Sequence, residues 1–330
     1  VDTFPANLYD RRSLDFFPAD CLSGQRIGVF QHSAVGRDLL PAILSGLGAE
    51  VTPLGFSDTF MPVDTEAIRP EDVRAAAKWA AEYRFDAIVS TDGDSDRPLV
   101  SDETGKWLRG DVAGILCAAY FQADAVVTPV SCNSAVEKCG WFPTVIRTRI
   151  GSPYVIEGML QAIAQGARRV VGYEANGGFL LASDIRSTGR TLQALPTRDA
   201  VILILAILRL SREKRKPISH LAAELPQRFT FSNRLKDFPT ETSRAKLAEL
   251  YPGDADESRR RLTSVFGDHL GPVAGIDTTD GLRITFASGE VVHLRPSGNA
   301  PEFRCYTEAD TERRAAAINR ICMDIMAGWR

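Results

Sequence analysis

The alternation of short apolar runs with helical patterns over the first two thirds of the chain constrains the fold most strongly. Apolar runs typical of buried strands occupy residues 26–31, 50–54, 85–90, 125–128, 145–148 and 169–173. Patterns with helical spacing occupy residues 37–47, 71–83, 111–121, 153–165 and 198–214. Strands that alternate with helices in this way predict parallel βαβ units, in which ligand-binding loops follow the carboxyl ends of the strands.

The pattern changes after residue 216. Prolines punctuate a polar stretch, and three strand-like runs then follow one another with short turns between them, at residues 281–286, 290–294 and 302–306. A helical pattern over residues 311–329 closes the chain. We therefore predict an α/β protein with two consecutive mixed-sheet α/β domains, followed by a smaller α+β domain. The predicted boundaries are residues 1–108, 109–225 and 226–330.

Composition narrows the classes of partner. The 39 lysines and arginines nearly balance the 42 aspartates and glutamates, giving a net charge of −3, which argues against a bulk nucleic-acid or membrane-surface binder. The longest apolar run, residues 201–208, is far shorter than the ~20 residues of a transmembrane helix. Six scattered cysteines and four isolated histidines indicate reduced thiols and no histidine-based metal site. We expect a cytoplasmic protein without nucleic-acid or membrane partners.

Three aspartates at alternate positions, Asp92, Asp94 and Asp96, directly follow a predicted strand. Carboxylates this close repel one another unless a cation lies among them, and oxygen ligands suit a hard ion such as Mg²⁺. With Glu103 the spacing also matches an EF-hand, but Arg97 stands where that loop requires glycine, and a strand rather than a helix precedes it. A solvated acidic turn is the remaining alternative.

Two further loops carry groups suited to a phosphorylated sugar. Glu174 and Asn176, before a glycine pair that ends at Gly178, can hydrogen-bond neighbouring sugar hydroxyls, although a plain turn with an exposed glutamate is also consistent. The second loop, residues 295–301, combines an arginine, a serine and a glycine-freed backbone, as phosphate sites do. Arg304 can add a second guanidinium there. The alternative is a Pro/Gly turn with solvated arginines.

Taken together and in this order, the three loops resemble those of the α-D-phosphohexomutase superfamily, and most of all bacterial phosphomannomutase/phosphoglucomutase. That family has a DGD-x-DR metal loop, a GE-x-SG sugar loop and an R-x-SG-T-x-P phosphate loop. The present chain has DGDSDR, GYEANGG and RPSGNAP in the corresponding places. The resemblance extends over essentially all 330 residues.

The resemblance implies an intramolecular phosphotransferase that interconverts hexose 6-phosphate and hexose 1-phosphate, of mannose or glucose. A phosphoserine and a bisphosphorylated sugar are the implied intermediates. It also implies Mg²⁺ as cofactor, held by Asp92, Asp94 and Asp96, with Arg97 as the catalytic arginine that supports the transferring phosphate. Phosphoryl transfer of this kind depends mainly on positioning and charge neutralisation.

The substrate-binding residues that the resemblance implies belong to three places. Glu174, Asn176 and Gly178 correspond to the sugar loop, and Arg149 to a substrate-facing basic residue. The implied anchor of the non-reacting phosphate consists of Arg295, Ser297, Gly298, Asn299 and Arg304. Residues 196–199 (PTRD) correspond to the start of a family helix, for which we predict a structural role.

The chain departs from the family pattern at three loop positions. Ser95 replaces the usual glycine, Gly178 stands where many relatives carry histidine, and Asn299 where many carry threonine. The sugar is therefore left open, with the ANGG form favouring a phosphomannomutase. Two other functions remain as alternatives: a non-catalytic phosphosugar-binding protein and a Mg²⁺-dependent sugar-phosphate phosphatase. The phosphatase is disfavoured because Ser95 and Arg97 suit a ligand loop better than a nucleophile loop.

The phosphoserine loop of the family, T-x-S-H-N-P, has no counterpart in the sequence, which also begins without methionine. We therefore expect the chain to correspond to the second, third and fourth family domains, with the N-terminal phosphoserine domain as a missing partner in cis. On that expectation, the chain alone binds hexose phosphate weakly and does not turn it over.

Overall fold

The computed structural model describes residues 4–298 and 300–330, which form two compact units. The first unit consists of Val1–Pro129, Val136–Arg147 and Gly151–Pro226. The second unit consists of Val130–Ala135, Thr148–Ile150 and Gln227–Arg330. Two short loops from the middle of the chain thus belong structurally to the C-terminal unit.

A mixed four-stranded sheet in the order β2-β1-β3-β4 begins the first unit. Its elements are α1 Phe4–Phe16, β1 Arg26–His32, α2 Leu39–Gly46, β2 Glu50–Phe56, α3 Pro70–Tyr83, β3 Ala87–Thr91 and β4 Pro98–Val100. The strand β1 pairs in parallel with β2 and β3, whereas β4 pairs antiparallel to β3. The β3–β4 hairpin therefore presents residues 92–97 at the carboxyl end of a buried parallel strand.

A second four-stranded sheet in the order β6-β5-β7-β8 follows in the same unit. The elements of this part are α4 Gly110–Tyr120, β5 Ala125–Pro129, α5 Ala135–Lys138, β6 Thr144–Thr148, α6 Ser152–Ala164, β7 Val170–Tyr173, β8 Phe179–Leu181, β9 Ile185–Ser187, β10 Arg190–Leu192, α7 Ala200–Lys214 and α8 Ile218–Ala223. The strand β5 is parallel to β7, and β8 is antiparallel to β7. The β7–β8 turn places the GYEANGG loop at the end of this sheet.

The helix α7 explains the longest apolar run of the sequence. Residues 200–208 are all buried, because α7 contacts α4, the strands β3 and β4 of one sheet, and β8 of the other. Asp199 caps the helix, its Oδ1 accepting the backbone N–H of Ile202 at 3.1 Å. The first turn of α7 is thereby fixed between the two sheets of the first unit.

The C-terminal unit contains an antiparallel five-stranded sheet in the order β11-β15-β14-β13-β12. Its elements are β11 Phe229–Lys236, α9 Thr240–Leu250, α10 Ala255–Leu270, β12 Val273–Asp277, β13 Leu282–Phe286, β14 Val291–Pro296, β15 Glu302–Ala309 and α11 Glu312–Ala327. Phe266, Phe286, Phe303 and Ile318 are among its fully buried core residues, which come from the helices and the sheet together. The predicted fold class, mixed-sheet α/β domains followed by a smaller α+β domain, is confirmed.

Across residues 4–298 and 300–330, none of the helices is both long enough and apolar enough to cross a bilayer.

Candidate functional site

The loop between β3 and β4 holds the three predicted metal ligands. The backbone N–H of Asp92 donates to the carbonyl oxygen of Arg97 at 3.0 Å. The Asp92 carboxylate oxygen Oδ1 accepts the backbone N–H groups of Asp96 and Arg97 at 3.2 and 3.1 Å. Asp92 is consequently buried inside the turn, whereas Asp94 is exposed.

Ser95 occupies the position at which the family pattern has glycine, and its φ of 65° lies in the left-handed region. This conformation costs a residue with a side chain about 1 kcal/mol. The Ser95 hydroxyl oxygen accepts the backbone N–H of Gly36 at 2.9 Å and lies 3.0 Å from the Thr91 hydroxyl, which donates to it. These two hydrogen bonds offset the strain and hold the tip of the loop in place.

The three carboxylates form a cluster that fits a hard divalent cation. Ligand oxygens of Asp92, Asp94 and Asp96 lie within 4.8 Å of one another. Burial, together with the negative charges of Asp94 and Asp96, raises the pKa of Asp92 to about 6. Within the described residues, Asp96 Oδ1 is buried without a hydrogen-bond partner. An all-oxygen donor set with an unused acceptor suits a hard divalent cation.

Arg97 lies beside these carboxylates without saturating them. Its Nε is 3.6 Å from Asp92 Oδ2 and 3.6 Å from Asp96 Oδ1, which is ion-pair contact but longer than a good hydrogen bond. Its side chain is 36% exposed. Arg97 therefore offsets part of the negative charge and retains donors for an incoming anion.

The sugar loop is a tight turn whose two polar side chains are buried. The backbone N–H of Glu174 donates to the carbonyl oxygen of Gly178 at 3.1 Å, and Asn176 Oδ1 accepts the N–H of Gly178 at 2.9 Å. The Thr65 hydroxyl donates to the backbone carbonyl of Asn176 at 2.8 Å. The Asn176 side-chain oxygen thus braces the loop, and Glu174 is the carboxylate that the loop holds in place.

Arg198 joins the metal loop to the sugar loop, which the sequence analysis did not predict. Its Nε donates to Glu174 Oε2 at 2.8 Å and its Nη1 to Asp96 Oδ2 at 2.9 Å. The Ser152 hydroxyl donates to the same Glu174 oxygen at 3.2 Å. The local signal, an arginine directly before the cap of a buried helix, does not reveal partners 24 and 102 residues away.

The phosphate loop connects β14 to β15 in the C-terminal unit. Ser297 is buried, and its backbone N–H donates to the carbonyl oxygen of Glu302 at 2.8 Å. Gly298 is exposed, and a Cβ there would meet no atom within 4 Å. The backbone at Gly298 is therefore open to approach by a ligand. Asn299, also predicted to bind phosphate, lies outside the described residues.

Three arginines form a row across the end of this sheet. Arg304 on β15 is the cross-strand partner of Arg295 on β14 and of Arg234 on β11. Directly opposite residues project from the same face, where like charges are unfavourable unless they are balanced. Glu302 balances part of this charge, at 3.3 Å from Arg304 Nη2 and 3.4 Å from Arg234 Nε. The row concentrates positive charge at this end of the sheet, and Arg234, which was not predicted, is part of it.

Asp280 brings Arg149 and Arg295 into one cluster. Its Oδ2 accepts Arg295 Nε and the backbone N–H of Ile150, both at 2.9 Å. Arg149 Nε donates to the carbonyl oxygen of Thr279 at 3.3 Å. Asp280 was not among the predicted residues, so its link between distant basic segments is a structural finding.

The predicted residues fall into two groups. Metal- and sugar-loop residues lie in the first unit: Asp92, Asp94, Asp96, Arg97, Glu174, Asn176 and Gly178. The C-terminal unit contains the predicted substrate-facing residue Arg149 and those predicted phosphate-anchor residues that the structure describes: Arg295, Ser297, Gly298 and Arg304. The first group is arranged around Arg198 and the second around Asp280 and Glu302.

Three family models match the chain in succession. Phosphoglucomutase/phosphomannomutase alpha/beta/alpha domain II matches residues 13–105 and alpha/beta/alpha domain III matches residues 109–229. The phosphoglucomutase/phosphomannomutase C-terminal domain matches residues 243–325. Together they account for most of the sequence.

Individual proteins agree with the family models. A phosphomannomutase of Salmonella muenchen is 46% identical over 318 residues, covering 96% of this chain, and the chain spans 65% of that protein's length. A phosphoglucomutase/phosphomannomutase family protein from Burkholderia thailandensis superimposes with a TM-score of 0.69 at 17% identity, over 98% of this chain and 64% of its own. Aspergillus fumigatus N-acetylphosphoglucosamine mutase, in complex with GlcNAc-6P and magnesium, superimposes with a TM-score of 0.61 at 14% identity, over 98% and 64%.

Proposed function

This chain belongs to the phosphoglucomutase/phosphomannomutase family, and from that premise we propose that it carries the metal-, sugar- and phosphate-binding parts of a phosphohexomutase. The proposed reaction interconverts hexose 6-phosphate and hexose 1-phosphate through a bisphosphorylated sugar. Mannose is the proposed hexose, which the identity to a phosphomannomutase supports. The metal, sugar and phosphate functions are assigned to residues 1–108, 109–225 and 226–330, respectively.

The observation that carries the proposal is the clustering of acids in the first unit. Three carboxylates lie within 4.8 Å of one another, and Arg198 links one of them, Asp96, to Glu174 of the sugar loop. Asp92, Asp94 and Asp96 would hold Mg²⁺, which there supplies neutralisation of the charge on a transferring phosphoryl group. The magnesium complex of the Aspergillus fumigatus relative supports the choice of metal.

The other residues of the first unit orient the substrate. Arg97 has donors directed to the region of the acids and can bond an equatorial phosphoryl oxygen as its charge develops. Glu174, buried and fixed by Arg198 and Ser152, can accept hydrogen bonds from sugar hydroxyls. This division suits a reaction that needs placement and charge compensation more than covalent chemistry.

The C-terminal unit is proposed to anchor the phosphate that does not react. Arg295 and Arg304 supply guanidinium donors, and the Ser297 hydroxyl and the open backbone at Gly298 complete a concave set of donors. An anchor that recognises only the phosphate accepts a sugar in either orientation. The anchor can therefore hold the phosphate at either end of the hexose in turn.

The test is titration calorimetry of the chain with mannose 6-phosphate, comparing Arg295→Ala with Arg314→Ala. Arg314 is in the same unit and pairs with Glu290, away from the phosphate loop. We expect Arg295→Ala to lower affinity roughly tenfold to a hundredfold, the worth of a charge-assisted pair of hydrogen bonds, and Arg314→Ala to leave it unchanged. Absence of binding by the wild type, or equal affinity in the Arg295 variant, contradicts the proposal.

A further inference from the structure

Arg198 is placed between two loops that belong to different motifs. Its guanidinium contacts Asp96 through Nη1 and Glu174 through Nε, and its side chain is 22% exposed. The two acids differ in their surroundings, because the Glu174 side chain is 5% exposed and that of Asp96 33%. The Arg198 guanidinium thus pairs with one buried carboxylate and one half-buried carboxylate.

The backbone beside Arg198 is anchored, and the Arg198 stem lies against Gly178. The next residue, Asp199, caps α7 and also accepts the Tyr9 hydroxyl at 2.5 Å and Arg12 Nε at 3.3 Å. A Cβ built on Gly178 would lie 2.7 Å from Arg198 Cδ and 2.9 Å from its Cγ. The Arg198 stem therefore passes against Gly178 in space that exists because that residue has no side chain.

We propose, resting on the function proposed above, that Arg198 is a positioning residue with two opposed effects. It orients Glu174 for the sugar, and it weakens divalent-cation binding by competing for Asp96. Sugar binding and cation binding consequently respond in opposite directions when Arg198 is replaced.

The difference in burial gives the two effects opposite signs. Glu174 is buried and depends on Arg198 for its orientation, so loss of the guanidinium leaves the carboxylate free to rotate, and the sugar loses an oriented acceptor. Asp96 is more exposed, and loss of the neighbouring guanidinium makes the potential at the three aspartates more negative. A more negative potential favours a divalent cation.

The experiment uses calorimetry to measure the binding of Mn²⁺ alone, and of mannose 6-phosphate alone, to the wild type and to Arg198→Met. Methionine preserves much of the stem and removes the charge. We expect Mn²⁺ affinity to rise by about threefold to tenfold. We expect mannose 6-phosphate affinity to fall by roughly tenfold, as for loss of the partner of a buried carboxylate.

Arg198→Lys separates charge from geometry. Lysine keeps the positive charge but lacks the planar fork that spans both acids. Mn²⁺ affinity should stay close to the wild-type value, while mannose 6-phosphate binding weakens. Should the methionine variant fail to fold, as judged by circular dichroism, the lysine variant carries the test, and wild-type affinity for the sugar phosphate then overturns the proposal.

The contact of Arg198 with Asp96 can be separated from its contact with Glu174 in a second variant. In Glu174→Gln, adding Arg198→Met should no longer change sugar-phosphate affinity but should still tighten Mn²⁺ binding, because only the Asp96 contact remains. The control is Arg209→Met, which removes an ion pair with Glu213 on the same helix and should change the affinity for neither ligand.

The outcomes distinguish this proposal from the function on which it rests. If Arg198→Met lowers the affinity for both ligands, as a general destabilisation of the site would, or changes neither affinity, the proposed role of Arg198 is wrong. In that case, binding of mannose 6-phosphate by the wild type still supports the proposed function. If the wild type binds neither Mn²⁺ nor mannose 6-phosphate, both proposals are overturned.

Discussion

The two clusters are built with opposite signs of charge. In the first unit a guanidinium, that of Arg198, bridges carboxylates of two loops. In the C-terminal unit a carboxylate, that of Asp280, bridges Arg295 and the backbone of Ile150, next to Arg149. Each cluster has an excess of the charge opposite to that of its proposed ligand. One residue of the other sign holds each cluster together, and we call it the minority charge: Arg198 in the first unit and Asp280 in the C-terminal unit. The minority residue is therefore where stability and ligand affinity come into conflict.

The clusters also differ in what surrounds the minority charge. Arg198 lies against Gly178, where an added Cβ would meet side-chain atoms. Beside Asp280, Gly281 has φ +83°, and an added Cβ would lie 2.4 Å from the carbonyl oxygen of Leu294 and 3.1 Å from Arg295 Cα. The space beside Asp280 is bounded mainly by backbone, whereas the space beside Arg198 is bounded by side-chain atoms. The Arg198 cluster should therefore tolerate an added methyl group better than the Asp280 cluster.

The largest expected effect tests that difference. Gly281→Ala combines an unfavourable φ with a clash against backbone and should lower the free energy of unfolding by about 3 kcal/mol or more. Gly178→Ala should cost only about 1 kcal/mol, because the Arg198 stem can shift. Gly289→Ala is the control, since its φ is also positive, at +81°, but a Cβ there meets nothing within 4 Å. Urea unfolding measures all three, and equal losses at Gly281 and Gly289 would show that the backbone contact is unimportant.

The sequence was sufficient for the elements whose pattern is local. The alternating segments before residue 216 appear in the structure as the predicted strands and helices, because buried parallel strands and apolar helix faces have a clear period. The helices α9 and α10 were not predicted, since they lie in the polar stretch that prolines punctuate. Pro239 in fact immediately precedes α9, and α10 buries Leu262, Phe266 and Leu270 at four-residue spacing, a signal that its many charges concealed.

The site could be predicted only as far as its loops. The sequence singled out Asp92 and Glu174 in turns that follow strands, and Arg295 in the Pro/Gly segment where β14 ends. Arg198 and Asp280 were not found, because their importance comes from partners up to 102 and 130 residues away along the chain. Contacts at that separation depend on how sheets and helices pack and have no local pattern.

A smaller effect concerns His293, which lies in the arginine-rich unit. Burial, with the positive charges of Arg283 and Arg295 adding to it, lowers the pKa of His293 to about 4. Its Nε2 lies 2.5 Å from the Asp280 carbonyl, which only accepts, so the folded protein holds the neutral ring with the proton on Nε2.

Stability should therefore fall as the pH falls from about 6.5 to 4. Over that range the unfolded chain binds a proton at His293 that the folded protein does not, giving a loss of at most about 3 kcal/mol from this group. Above pH 6.5 both states are neutral and the contribution is constant. Urea unfolding of His293→Asn at several pH values should show a shallower acid slope, while His269→Asn, exposed on α10, should keep the wild-type slope. An unchanged slope in the His293 variant would contradict the prediction.

The smallest expected effect comes from removing the negative charge of Asp280, the minority charge of the C-terminal cluster. Asp280→Asn keeps an acceptor for the Ile150 N–H but removes the negative charge beside Arg295. We expect inorganic phosphate to bind about threefold to tenfold more tightly, mirroring the effect of Arg198→Met on Mn²⁺, while the free energy of unfolding falls by about 1 kcal/mol. Asp277→Asn, in the same turn and bonded to the Thr279 N–H, is the control and should leave phosphate affinity unchanged. Weaker phosphate binding in Asp280→Asn would mean that Asp280 orients Arg295 more than it competes for it, and the two clusters would then not be electrostatic counterparts.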